Sequence, residues 1–265
     1  MKMHKNTTIS IIMSVYNGEN FLRESIESVL NQTHKNIEFI IINDGSDDNS
    51  LEIIQSYMDI DNRIVLLNHK NIGLTKSLNI GVLRASGEYI ARQDSDDIST
   101  EDRFELFLDF VKINGVVDIY TTPALLIDKD GFAIKTIPNY FRRNGFHENM
   151  LNYYNSLIHG TLIVSANIIK KYNYNEEFKY SQDFELYHNL IGRGYNISYD
   201  NFNLSYKLRV HGGQISTLKK SPQFNFFRRT LVCRGIKFYK QTLLNRLLFR
   251  IIDIRLYLKV KLLPR

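Results

Sequence analysis

A chain of 265 residues can bury one substantial core and a small appendage, and its 43% apolar and 23% charged residues exclude a disordered protein. One cysteine, Cys233, excludes an intramolecular disulfide and fits a reducing compartment. The net charge of +6 is uneven: residues 222–265 hold eleven Lys or Arg and one acid, Asp253, against 23 basic and 27 acidic groups in the first 221 residues.

Residues 8–15 read as a buried strand ending in the turn-like Tyr16-Asn17-Gly18. Within that run Ser10 and Ser14 interrupt the apolar residues, which makes it too short and polar for a signal peptide. No stretch reaches the roughly 20 apolar residues that span a bilayer, so the expected location is cytoplasmic. Phe21, Leu22, Ile26, Val29 and Leu30 then follow helical spacing. A second buried strand is expected at 37–42, closing at Asn43-Asp44-Gly45-Ser46. It is followed by a helix over 50–57, a strand over 64–67, a helix over 74–85, the turn Ser86-Gly87 and a strand over 88–91. Strand and helix in alternation predict a mostly parallel sheet with helices on both faces. Ligands in such sheets bind beyond the carboxyl ends of the strands, where Tyr16, Asp44 and the acidic segment after residue 91 all fall. Residues 114–155 mix short apolar runs with Gly and Pro, which suggests small strands and long loops. A helix is expected over 182–191, ended by Gly192 and Gly194.

The acidic segment carries Asp94, Asp96 and Asp97 within four residues. Like charges this close repel unless something positive lies between them. Hard cations such as Mg2+ and Mn2+ take one or two carboxylates together with substrate phosphates. The segment therefore points to a metal and a phosphorylated ligand together. The same residues also read as a solvated turn before a helix starting near Ser99, with Ser99, Thr100, Glu101 and Asp102 as its first residues.

Taken in order, these motifs resemble family 2 glycosyltransferases, inverting nucleotide-sugar enzymes of the GT-A fold, over about residues 8–216. The resemblance implies that Tyr16, in the turn reaching Glu19, stacks on a uracil ring and that Asp44 accepts its imide hydrogen. It also implies that Asp94 contacts the ribose or shares the cation, that Asp96 ligates Mn2+ or Mg2+, and that Asp183 in Ser181-Gln182-Asp183-Phe184 is the general base. Gln182 stands where relatives usually have a glutamate. His159-Gly160-Thr161 stands where many have His-Pro-Ser, and His211 of Arg209-Val210-His211 is either a metal ligand or a loop-ordering residue. The implied reaction moves a sugar from a nucleoside-diphosphate sugar, expected to be a UDP-sugar, to a hydroxyl of a saccharide acceptor, with inversion.

The implied architecture is a GT-A domain over 1–216 and a C-terminal extension over 217–265. If residues 243–262 are helical, Leu244, Leu247, Leu248 and Ile251 fall broadly on one side and Arg246 and Arg250 on another, a basic amphipathic face suited to anionic lipid. Packing of that helix on the catalytic domain is the other reading. The resemblance connects membrane contact with a polyisoprenyl-diphosphate-linked acceptor and with capsule, O-antigen or exopolysaccharide assembly at the inner face of the cytoplasmic membrane. No nucleic-acid-binding motif accompanies the basic residues. The rival functions are a sugar nucleotidyltransferase, against which stands the lack of a Gly-rich phosphate loop near residue 15, and a catalytically silent nucleotide-sugar-binding scaffold.

Overall fold

The computed structural model describes residues 7–137 and 157–214. The 216/217 boundary and the amphipathic tail lie outside the described residues.

Strand β1 (Ile9–Val15) lies at the centre, paired in parallel with β2 (Ile37–Asp44) and β4 (Tyr89–Arg92), while β3 (Ile64–His69) extends the sheet beyond β2. Both faces of β1 are covered, which is why it is apolar at nearly every position rather than alternating. On one face Ile9, Ile11, Met13 and Val15 join Leu22, Ile26 and Val29 of helix α1 (Glu19–Leu30) and Ile53 and Ile54 of α2 (Ser50–Met58). Phe104, Phe107 and Val111 of α4 (Arg103–Asn114) complete that cluster. On the other face Ile12 meets Leu78 and Val82 of α3 (Leu74–Arg84) and Ile169 of α5 (Ala166–Tyr172), around a small cavity of about 10 Å³. A Cβ on Gly81 of α3 would lie 2.7 Å from Ile12 Cγ2, so the absence of a side chain there sets how closely α3 approaches the sheet. Each fully buried Ile or Leu contributes about 1.5–3 kcal/mol, and changing Gly81 would separate two of these layers.

Register places the functional turns side by side. Val15 pairs with Asn43, and Ile12 with Arg92, so the chain leaves β1, β2 and β4 at one edge. The alternation expected from sequence holds through β4 and then changes. Strand β9 (Ile163–Ser165) runs antiparallel between β4 and β6 (Ile119–Thr121), and β10 (Ile197–Tyr199) closes the described sheet beside β6. A smaller sheet orders β5 (Ile98–Ser99), β11 (Tyr206–Arg209), β7 (Ala124–Ile127) and β8 (Ala133–Ile137).

The helix expected from Ser99 begins instead at Arg103. Ser99 is a strand residue paired with Tyr206, and its hydroxyl is held by Gln93 at 2.7 Å. The first turn of α4 is satisfied from a distance: Gln32 Oε1 accepts the Phe104 N–H at 3.3 Å. The helix expected over 182–191 is α6 (Gln182–Ile191).

Candidate active site

The turns after β1 and β2 are laced into one ledge. Asn17, in the left-handed region at φ 52°, donates its N–H to Ser46 Oγ at 3.0 Å and accepts from the Asp47 N–H at 2.8 Å. Asn tolerates that conformation better than most residues. Asp48 accepts the N–H groups of Glu19 and Ser50, each at 3.0 Å, and so serves the first turns of α1 and α2 together. Burial opposes its charge, but the hydrogen bonds from Ser50 and Glu19 outweigh burial and hold its pKa below the usual value. Glu19 returns the contact, accepting the Asn49 N–H at 3.1 Å and the Asn49 side-chain amide at 2.6 Å. Tyr16 stands free on this ledge, 52% exposed. Asp44 is buried beneath it and accepts the backbone N–H groups of Ile72 at 2.8 Å and Gly73 at 3.0 Å. The Asp44 carboxylate therefore fixes the entry to α3, with lone pairs left for a further donor.

The acidic turn after β4 is built on buried polar side chains. Gln93, fully buried, donates to the carbonyls of Asp94 at 3.2 Å and Asp97 at 3.0 Å and to Ser25 Oγ at 3.1 Å. Arg103, also buried, donates to Gln93 Oε1, Ser99 Oγ and the carbonyls of Arg92 and Gly160 at 2.8–3.2 Å, and it lies over the Tyr206 ring at 4.9 Å. Burial pulls the Arg103 pKa down to about 10, which leaves it charged at neutral pH. Tyr206 Oη accepts the Asp94 N–H at 3.2 Å. The first carboxylate, Asp94, pairs with Arg92 at 2.5 Å, and Arg92 is only 3% exposed.

Asp96 accepts from His211 Nε2 at 2.9 Å and from the Gln214 amide at 3.2 Å. His211 is held on its other side by the Phe21 ring, with centroids 4.7 Å apart. Asp97 is 1% exposed and accepts the Arg209 N–H at 2.8 Å, while its Oδ2 has no hydrogen-bond partner. Burial first, then Asp96 and Asp94, push the Asp97 pKa well above the ordinary carboxylate value. Arg209 is buried. Its guanidinium donates to the Asp96 and Lys129 carbonyls, each at 2.9 Å, pairs with Glu24 and covers Phe21 at 4.7 Å. This arginine supports the turn.

Asp183 sits in the first turn of α6, and the residue before that helix, Ser181, has φ 55° and ψ 30°. A left-handed conformation at a non-glycine residue is uncommon and gathers at functional sites. His159 shares a hydrogen bond with Tyr174 Oη at 2.8 Å. Burial, then the charge of Arg92, lowers the His159 pKa, and both Asp183 and Asp94 act on it in the opposite sense. Tyr174 experiences the same three charges. Charges from both the acidic turn and the first turn of α6 thus reach the His159–Tyr174 pair.

The donors fit a hard divalent cation with few protein ligands. Asp96 Oδ2 and His211 Nε2 are already neighbours at 2.9 Å, and both would serve such an ion once Nε2 gave up the proton it shares with Asp96. Among the described residues no three His, Cys, Asp or Glu side chains converge as a complete cage.

Sequence reading missed Arg92, Gln93, Arg103 and Tyr206, the frame under the turn. The one local signal was an arginine and a glutamine closing the apolar run Tyr89-Ile90-Ala91, where unpaired burial of either would be costly.

A mostly parallel sheet with helices on both faces and an acidic turn at its carboxyl edge is the GT-A arrangement. Residues 10–171 match the family model described as "Glycosyl transferase family 2". The chain belongs to that family and is a glycosyltransferase. It is 31% identical over 226 residues to an uncharacterized glycosyltransferase of Haemophilus influenzae, covering 81% of this chain and 69% of the relative. It is 30% identical over 253 residues to one of Methanocaldococcus jannaschii, covering 88% and 84%. Among solved structures, S. aureus TarS 1-349 in complex with UDP-GlcNAc superposes with a TM-score of 0.68 at 19% identity, covering 85% of this chain and 66% of that one. The mannosyltransferase PcManGT of Pyrobaculum calidifontis, in complex with GDP-Man and Mn2+, gives 0.60 at 13% identity, covering 77% and 57%.

Proposed function

We propose that this glycosyltransferase moves a sugar from a nucleoside-diphosphate sugar, a UDP-sugar by preference, to a hydroxyl of a saccharide acceptor with inversion at the anomeric carbon. The observation that carries the proposal is the acidic turn at the carboxyl edge of the sheet, where Asp96 meets His211 at 2.9 Å, Asp94 pairs with Arg92 and Asp97 keeps a buried oxygen unpaired.

Tyr16 stacks on the base, and Asp44 accepts its imide hydrogen with the lone pairs that Ile72 and Gly73 leave free. Glu19 acts on the nucleotide through the ledge that it ties to Asn49. Asp94, its charge balanced by Arg92, meets the ribose. Asp96 and His211 would hold Mn2+ or Mg2+, which supplies Lewis-acid stabilisation of the charge on the departing diphosphate. Asp183 takes the acceptor proton as its oxygen attacks, a role that contributes about 10²- to 10⁴-fold. TarS, solved in complex with UDP-GlcNAc, and PcManGT, solved in complex with GDP-Man and Mn2+, support a donor and an ion of this kind.

Asp183→Asn should reduce transfer by at least 10²-fold while donor affinity, read by calorimetry, stays within about twofold of the parent. Near-normal turnover in that variant would remove Asp183 from the mechanism.

The acceptor is proposed to be lipid-linked, in surface polysaccharide assembly at the cytoplasmic face of the membrane. The support is the eleven basic residues within 222–265, a density that attracts anionic lipid. Among the described residues no helix is long and apolar enough to cross a membrane. Flotation with phosphatidylglycerol vesicles should carry the full chain upward and leave a chain ending at residue 221 below. Equal recovery of both in the soluble fraction would reject the membrane contact.

A further inference from the structure

Tyr187 lies four residues after Asp183 on α6. Residues at this spacing share a helix face, and helical side chains lean toward the N-terminus, so the Tyr187 ring is carried back toward the turn that holds Asp183. The residue is 1% exposed, and its hydroxyl has no hydrogen-bond partner. Other buried tyrosines differ: Tyr174 is bonded to His159 at 2.8 Å, Tyr120 donates to Asp200 at 2.9 Å and Tyr206 accepts from the Asp94 N–H at 3.2 Å. A buried hydroxyl left unpaired is destabilising, and a fold that retains one a single helical turn from Asp183 leaves a donor in reserve.

We propose that Tyr187 is a positioning residue for Asp183, donating its hydroxyl hydrogen to that carboxylate when nucleotide occupies the site. The titratable and charged groups around the hydroxyl are Asp183 on its own helix, Tyr174 ahead of that helix, and Asp94 and Arg92 at the end of β4. Burial first and Asp183 next push the Tyr187 pKa well up, so the hydroxyl remains a proton donor throughout the working range. The bond fixes which Asp183 oxygen faces the acceptor and favours the ionised form that a base requires.

The inference rests on Asp183 being the base, and its test reads something else. Aspartate carboxyl carbons of the labelled full chain are titrated by NMR with and without UDP and Mg2+, and Asp183→Asn assigns the resonance. With UDP and Mg2+, Tyr187→Phe should raise the Asp183 midpoint by about one pH unit and leave Asp94 unmoved. The variant, lacking only an unpaired oxygen, should melt at or above the parent temperature. An unchanged Asp183 midpoint in both conditions, a shift common to Asp183, Asp94 and Asp200, or a lower melting temperature would each overturn the proposal. Transfer retained by Asp183→Asn would remove the base instead and leave this titration intact.

Discussion

Gly160 shows how far a residue's role can depend on a partner remote in sequence. A Cβ at this position would lie 2.6 Å from Tyr206 Cε1 and close to the hydroxyl that holds the Asp94 N–H. The ring is fully buried and packed under Arg103, so it has nowhere to retreat. Gly160→Ala should therefore cost about 1–3 kcal/mol of stability and weaken donor binding through the displaced Asp94. A melting temperature and a nucleotide affinity equal to the parent's would contradict this packing. From sequence the same glycine was only the middle of a three-residue turn, because its constraint comes from a strand 46 residues away. Tyr16, Asp44, Asp94 and Asp96 were legible as candidates because each punctuates the end of an apolar strand, a local signal. Gln93 and Arg103 were not, because Ser25, Gly160 and the other groups that satisfy them are distributed along the chain. Asp97 is tied into the turn by accepting the Arg209 N–H.

At the scale of elements, local pattern sufficed wherever one element determined its own period. Strands β1 to β4 and the helices between them stand where apolar runs and helical spacing put them, because both faces of the sheet must be covered. Strand direction is different. Ile163–Ser165 is three residues long and runs antiparallel between β4 and β6, and nothing in so short an apolar run records which way its neighbours travel. Likewise Ile98–Ser99 is a strand only because Tyr206 and Lys207 lie beside it. Its pairing moves the start of α4 from Ser99 to Arg103, overriding a plausible capping sequence. The acidic turn consequently runs directly into the small sheet, which explains how β11 can bring Arg209 and the following His211 back to Asp96 and Asp97.

At the scale of the molecule, charge and site are separated along the chain. The first 221 residues hold a slight excess of acid, and its functional members gather at one edge of the main sheet beside few cations. Arg92 pairs with Asp94, and His211 hydrogen-bonds to Asp96. Asp97 is left with one buried oxygen unpaired. Such an edge gains most from a bound cation that arrives with a diphosphate. The most direct test of this account is calorimetric binding of UDP-, GDP- and dTDP-sugars to the full chain, with and without Mn2+, beside the Asp96→Ala variant. The account predicts that a UDP-sugar binds only with the metal and that Asp96→Ala abolishes this dependence. Donor affinity that is the same with and without Mn2+, and the same in parent and variant, would contradict it and leave the three aspartates as an acidic turn.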